Sequence, residues 1–284
     1  MNLQQAIRSA AQALGSDAAL FDPARRDAEL LLMHLLGLSR ASLLADSARE
    51  MTGEQLREYE ALIERRLRHE PIQYITGQQE FYGLPLRVTP AVLIPRPETE
   101  HLVEAVLERL PHDRPLAIAD IGTGSGAIAI ALAKHLPLAQ VIALDLSPAA
   151  LDLARVNAEA NGVEDRMRFL ESDLLSTLPG EERQAHFDAI VSNPPYIPTT
   201  EAAELHPQVR EHEPALALFA GIDGLDVYRK LVPAAYRALK PDGLLALEIG
   251  HGQSPAIADL LLDWHDVSFI EDLQSIPRVA LGRR

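Results

Sequence analysis

The chain has 284 residues, is 47% hydrophobic and 24% charged, and carries 41 acidic against 26 basic side chains, a formal net charge of −15. Such a composition supplies apolar mass for a sizeable core, argues against broad electrostatic attachment to a nucleic-acid backbone, and is compatible with a partner that has basic segments. It contains no cysteine, which excludes disulfides, thiolate zinc sites and cysteine nucleophiles.

The N-terminal segment, Met1 to Leu14, is polar and helix-like, not a basic stretch followed by an apolar run, so no signal peptide is expected. No apolar stretch approaches the roughly 18 residues of a membrane span, and a cytoplasmic protein without a membrane contact is expected. Leu3, Ile7, Ala10 and Leu14 share one helical face. A second helix is predicted over Ala24 to Leu36, with breaks at Gly15-Ser16 and Asp22-Pro23 before it. Thr52, followed by Glu54 and Gln55, opens a third, with Leu56, Tyr59, Leu62 and Leu67 inward. Residues 1–70 thus read as a small helical bundle, which Glu70-Pro71 ends.

Residues 71–93 are rich in glycine, proline and aromatic side chains, among them Tyr74, Gly77, Phe81, Tyr82 and Gly83, and predict a β-hairpin linker. In Ile94-Pro95-Arg96-Pro97-Glu98-Thr99-Glu100 two prolines stiffen the backbone, and the acidic residues start a helix to about Leu110. Arg96 and Glu98 read equally well as the mouth of a pocket or as a surface ion pair at a helix start.

From Pro115 strands alternate with helices. Strands are predicted at Leu116–Ile121, Val141–Leu146, Met167–Glu171, Phe187–Ser192 and Gly243–Ile249, with late short ones at Val267–Ile270 and Arg278–Leu281. Helices are predicted at Ser125–Leu136, Pro148–Asn161, Asp226–Leu239 and Ser254–Leu262. This alternation implies an α/β fold with a mainly parallel, doubly wound sheet covered on both faces.

The first of these strands ends in Asp120-Ile121-Gly122-Thr123-Gly124-Ser125-Gly126-Ala127, and a helix follows at once. Glycines let the chain turn sharply and bring its backbone against a ligand. Asp145 closes the next strand, where a carboxylate can accept hydrogen bonds from both ribose hydroxyls of an adenosine cofactor. The pattern points to a nucleoside-type cofactor, and a nicotinamide enzyme remains a rival at this point. The tight glycine spacing behind Asp120 resembles the D/E-x-G-x-G-x-G loop of class I methyltransferases. That resemblance implies a Rossmann-like fold and S-adenosylmethionine, with the loop around its methionine part.

The strand Phe187–Ser192 runs into Asn193-Pro194-Pro195-Tyr196. Two prolines make this loop stiff. A primary amide nitrogen is a poor nucleophile because its lone pair is delocalised into the carbonyl. Two acceptors that hold its N–H bonds can aim that lone pair at a methyl group. The Asn193 side-chain oxygen and the Pro194 carbonyl can be those acceptors, and Tyr196 offers a flat face for a planar amide. The chemistry needs no metal. No histidine shows metal-ligand spacing. The tetrapeptide resembles the (D/N/S)-P-P-(Y/F/W) signature of nitrogen methyltransferases, which act on adenine N6, guanine N2 or glutamine side chains.

Glu70-Pro71-Ile72-Gln73-Tyr74-Ile75-Thr76-Gly77, Glu80-Phe81-Tyr82-Gly83, the Ile94–Glu100 run, Val191–Pro198 and Gly224-Leu225-Asp226 together resemble the HemK/PrmC family, across essentially the whole chain. That family methylates N5 of the glutamine in the Gly-Gly-Gln loop of class-1 peptide chain release factors. The resemblance implies a helical domain that docks the protein substrate, a hairpin linker, and a methyltransferase domain over 94–284. It assigns Gly122 to Gly126 and Asp145 to the cofactor, with Asp120 expected beside them, and Asn193, Pro194, Pro195 and Tyr196 to the glutamine, with Asn193 also on the cofactor side. Asp173 is expected at the adenine amino group. Leu174 stands where some members carry an aromatic ring, so apolar packing replaces stacking there. Glu248-Ile249-Gly250-His251-Gly252, at a strand end near the active edge, reads as structural. A release factor is the expected partner, with no direct nucleic-acid contact and a monomeric enzyme. The same motifs would serve a glutamine methyltransferase of a ribosomal protein. An adenine-N6 DNA methyltransferase would be expected to add a basic target-reading segment, against the acidic balance.

Overall fold

A computed structural model describes residues Met1–Arg284. The chain divides into two compact units: Met1–Gln78 with Glu204–Glu213, and Gln79–Ala203 with Pro214–Arg284. No helix is long and apolar enough to cross a membrane.

The first unit contains α1 (Leu3–Leu14), α2 (Ala24–Leu36), α3 (Arg40–Ala45), α4 (Gly53–Leu67) and α5 (Ile72–Thr76). Reciprocal capping boxes start α1 at Asn2 and Gln5 and α4 at Thr52 and Gln55. The inward face of α4 is Tyr59, Ile63 and Arg66, and Leu67 is exposed. The helical period from Tyr59 selects residues 63 and 66, and it brings in a charge: Arg66 Nε meets Asp27 Oδ2 at 2.7 Å, both buried. Ile72–Thr76 is a helical turn and not the start of the hairpin. Pro71 precedes it and Gly77, with φ 73°, ends it. The segment Glu204–Glu213 joins this unit, where His212 Nε2 lies 2.8 Å from the Arg68 carbonyl oxygen.

The second unit opens with the hairpin strands β1 (Gln78–Phe81) and β2 (Leu84–Arg87). It continues through α6 (Glu100–Arg109), β3 (Leu116–Ile121), α7 (Ala127–His135), β4 (Ala139–Asp145), α8 (Pro148–Asn161), β5 (Met167–Glu171) and β6 (Phe187–Ser192). A short helix, α9 (Pro207–His212), lies in the stretch assigned to the first unit. Then follow α10 (Asp226–Ala238), β7 (Leu239–Glu248), α11 (Ser254–Leu260), β8 (His265–Glu271) and β9 (Pro277–Arg283). The hairpin is tied to α8 by asparagines: Asn157 accepts from Arg87 N at 2.7 Å and donates to its carbonyl at 3.0 Å.

The sheet has seven strands in the order β5-β4-β3-β6-β7-β9-β8. β3 to β7 run parallel, and β9 is antiparallel to both β7 and β8. Along each central strand successive residues alternate between two cores. Val141 and Ala143 pack with α6 and α7, whereas Ile142 and Leu144 pack on the face of α10 and α11. Both faces are covered, which is why these strands are apolar throughout. β7 starts before the expected Gly243, because its pairing with β6 continues past a register shift between Phe187 and Ala189.

Candidate active site

The strand order makes the site. The chain leaves β3 for β4 and β5 on one side and returns to β6 on the other, so a crevice opens above the junction of β3 and β6. Ile121 pairs with Ser192 and with Leu144, and Asp145 pairs with Glu171. Gly122, Asp145, Asp173 and Asn193 therefore emerge from the same end of four neighbouring strands. Ser192 Oγ donates to the Ile121 carbonyl at 2.6 Å and locks the two central ends together.

A cavity of about 390 Å³ occupies this crevice. Gly122, Thr123, Gly124, Ser125, Asp145, Asp173, Leu174, Asn193, Pro194 and Pro195 line it. Gly122 and Gly124 hold φ of 70° and 55°, and nothing lies within 4 Å of where a Cβ would stand. The backbone there is thus bare toward the cavity, a cradle that a side chain would fill. Asp145 Oδ2 accepts from Gly124 N at 2.8 Å and Oδ1 from Ser147 N at 2.9 Å. Burial raises its carboxyl pKa, opposed by these backbone N–H groups. Leu174, with φ 52°, makes the turn after β5 that places it and Asp173 at the cavity.

Asp120 and Gly126 do not line the cavity. Asp120 is fully buried behind the loop. Its Oδ2 accepts from Thr123 Oγ1 at 2.7 Å and from Ala129 N at 3.2 Å, while Oδ1 has no hydrogen-bond partner. Burial pushes its carboxyl up to about 7. It braces the loop from within. Gly126 caps α7 and packs close to Ile130.

Asn193 donates from Nδ2 to Thr99 Oγ1 at 3.1 Å, which leaves its Oδ1 as the acceptor at the cavity. No backbone N–H is drawn to the Pro194 carbonyl. Tyr196, expected as a flat platform, is turned elsewhere. It is absent from the cavity wall, and its hydroxyl lies 3.4 Å from Glu248 Oε1. The reason is local packing. Gln253 Nε2 donates to the Tyr196 carbonyl at 3.0 Å, Gln253 Oε1 accepts from Gly250 N at 2.9 Å, and Gly250 leaves room for the ring. The Gly224 and Glu248–Gly252 motifs thus form the seat of the tetrapeptide.

Gly224 has φ 74°, and a methyl group there would overlap the Tyr196 carbonyl oxygen. Gly224→Ala is expected to cost about 1–3 kcal/mol of stability in urea unfolding and to lower methyl transfer by displacing the loop. An unchanged midpoint and rate would contradict this seat.

Sequence reasoning did not single out Thr99, Leu146, Phe219 or Lys230, all of which line the cavity. Arg96 lines it too, whereas Glu98 does not. Thr99 lies in the proline-stiffened Ile94–Glu100 run, and Leu146 directly follows Asp145. Phe219 and Lys230 carry no local signal and are brought in by the fold.

Residues 5–77 match the family model described as the PrmC N-terminal domain, and residues 99–209 match the methyltransferase small domain. The chain is 45% identical over 285 aligned residues to the release factor glutamine methyltransferase of Koribacter versatilis, covering 100% of this chain and 99% of that protein. It is 43% identical to the release factor glutamine methyltransferase of Escherichia coli, covering 91% of this chain and 92% of the relative. Among solved structures, a ribosomal protein L11 methylase from Lactobacillus delbrueckii subsp. bulgaricus aligns with a TM-score of 0.50 and 25% identity. That alignment covers 70% of this chain and 85% of the other.

Proposed function

This chain belongs to the family of release factor glutamine methyltransferases, and from that premise we propose that it methylates N5 of the glutamine in the Gly-Gly-Gln loop of class-1 release factors. The observation that carries this reading is the Asn193 amide. Its nitrogen is taken by Thr99, so its oxygen is what an incoming NH2 group meets. The Pro194 carbonyl is the second acceptor. Held by both oxygens, the glutamine nitrogen turns its lone pair along the line of displacement. As positive charge develops on nitrogen its N–H groups become better donors, and the two hydrogen bonds strengthen in the transition state.

The methyl donor is S-adenosylmethionine, which supplies an electrophilic methyl group on a sulfonium. Gly122 to Ser125 would hold its methionine part against bare backbone, Asp145 the ribose hydroxyls, and Asp173 and Leu174 the adenine. Alignment of the two reactants supplies much of the acceleration. No side chain of this site has to act as a nucleophile or to form a covalent intermediate.

The helical unit is the proposed docking element for the protein substrate. Glu204–Glu213 packs with it, so surface substitutions on its helices are a cleaner probe than removal of residues 1–70.

The test is mass spectrometry of purified release factors and ribosomal proteins after incubation with the full chain and labelled cofactor. One methyl group on the Gly-Gly-Gln glutamine is expected. Label on a ribosomal protein, with the release factor unmodified, would contradict the substrate assignment.

A further inference from the structure

Two stretches far apart in sequence, Pro97-Glu98-Thr99 ahead of α6 and Glu248-Ile249-Gly250 at the end of β7, carry buried polar side chains that touch neither substrate nor cofactor in the proposed reaction. They meet behind Asn193. Thr99 and Glu248 are 4% and 2% exposed, so neither hydrogen-bonds freely with water. Thr99 Oγ1 lies 3.1 Å from Asn193 Nδ2. The Thr99 hydroxyl also faces the Glu248 carboxylate and draws its pKa down, the Tyr196 hydroxyl approaches Glu248 Oε1 at 3.4 Å, and the buried Oε2 has no hydrogen-bond partner.

The polarity of this chain of groups is fixed from one end. An ionised carboxylate only accepts. Thr99 must therefore direct its single O–H at Glu248, and its lone pairs are what remain for Asn193. A lone pair receives only the NH2 end of a side-chain amide. Glu248 thus determines, through Thr99, which end of Asn193 is presented to the cavity. With the opposite polarity Asn193 would offer NH2 to a substrate NH2, two donors facing each other.

The geometry points to Thr99 and Glu248 as positioning residues for methyl transfer, a relay that keeps the Asn193 Oδ1 turned toward the substrate amide. It rests on the acceptor role of Asn193 given above. The same carboxylate explains why Tyr196 is turned from the cavity: its hydroxyl is drawn to Glu248 Oε1, an acceptor buried away from water.

The relay carries its own pH dependence. Burial pushes the Glu248 carboxyl up to about 7, the Thr99 and Tyr196 hydroxyls pull it down, Glu98 raises it and Arg278 lowers it. Tyr228 faces it as well, donating to the Glu248 backbone carbonyl at 2.7 Å. Once protonated, Glu248 can donate to Thr99, which releases the threonine proton toward Asn193 and reverses the chain. Turnover is therefore lost as pH falls through about 7 and is kept above it.

The experiment uses the full chain with a release factor as substrate and compares Thr99→Val, Thr99→Ser, Glu248→Gln and Asn193→Ala. Thr99→Val is expected to lower kcat about ten- to a hundredfold, with cofactor Kd and thermal midpoint near wild type, and Thr99→Ser restores the rate. Glu248→Gln, which can donate, is expected to show a low kcat without the acid limb of the wild-type profile. If Thr99→Val does not fold, Glu248→Gln and its pH profile decide. A kcat within threefold of wild type in Thr99→Val, or a loss of cofactor affinity that accounts for the fall in rate, overturns the relay. In that event a strong loss in Asn193→Ala would leave the acceptor role standing. An active Asn193→Ala enzyme would instead bring down the reading on which the relay rests.

Discussion

Asn193→Ala is expected to bind S-adenosylmethionine within a few-fold of wild type and to lose about a hundred- to a thousandfold in kcat. In the proposed mechanism the substitution removes one of two oxygens that would strengthen their hold on the substrate nitrogen as charge develops on it. That contribution is made in the transition state, so the loss falls on turnover and not on ground-state binding. The proposed cofactor cradle lies on other elements, chiefly the loop after β3 and the end of β4, and is expected to survive the change. Titration calorimetry gives the cofactor Kd, and methyl incorporation at saturating substrate gives kcat. An equal loss in both would mean that Asn193 is a cofactor or folding residue.

Asp145→Ala is expected to do the reverse. In the proposed site its carboxylate would accept from two ribose hydroxyls, and hydrogen bonds to a charged group contribute about 1.5–3 kcal/mol each. Loss of the pair weakens cofactor binding by about a hundredfold or more. The same side chain holds Gly124 N and Ser147 N, so the glycine loop also loses a brace. At saturating cofactor kcat should recover much of the wild-type value, because the amide-holding loop after β6 is untouched. A cofactor Kd unchanged in Asp145→Ala would remove this residue from the ribose site.

The parts of the molecule that were legible in the sequence are those governed by near neighbours. β3, β5, β6 and α8 lie where the apolar runs and caps put them. β4 and β7 start earlier than expected and end one residue sooner, and β8 and β9 extend at both ends, since pairing with a neighbour carries a strand past its own apolar signal. The first unit shows the limit of hydrophobic periodicity. Leu67 looked inward because it is apolar, yet position 66 faces the core and holds an arginine that is neutralised by Asp27, 39 residues away. Nothing local announces such a pair. The short helices α3, α5 and α9 are likewise set by caps and tertiary packing more than by a repeating apolar face.

The site divides in the same way. Gly122, Gly124, Asp145, Asn193 and Pro194 sit in short runs whose chemistry is readable from residue type and strand position, and the fold gathers them at one cavity. Tyr196 was read from its ring alone, and its hydroxyl decided otherwise. Glu248, 52 residues further on, and the glycines around it govern where that ring lies. Thr99 was hidden for the same reason. Its partner Asn193 is 94 residues away, and only the sheet order brings the two together. Asp120 was expected at the cofactor and is one layer deeper, since the loop it braces needs an acceptor where no water reaches.

The most direct measurement is a crystal structure of the full chain with S-adenosylhomocysteine and a peptide carrying the Gly-Gly-Gln loop. The account predicts the glutamine NH2 within hydrogen-bond distance of both Asn193 Oδ1 and the Pro194 carbonyl, with its nitrogen directed at the sulfur. A glutamine bound with its amide held by other groups, or Asn193 Oδ1 turned away from it, would contradict the account.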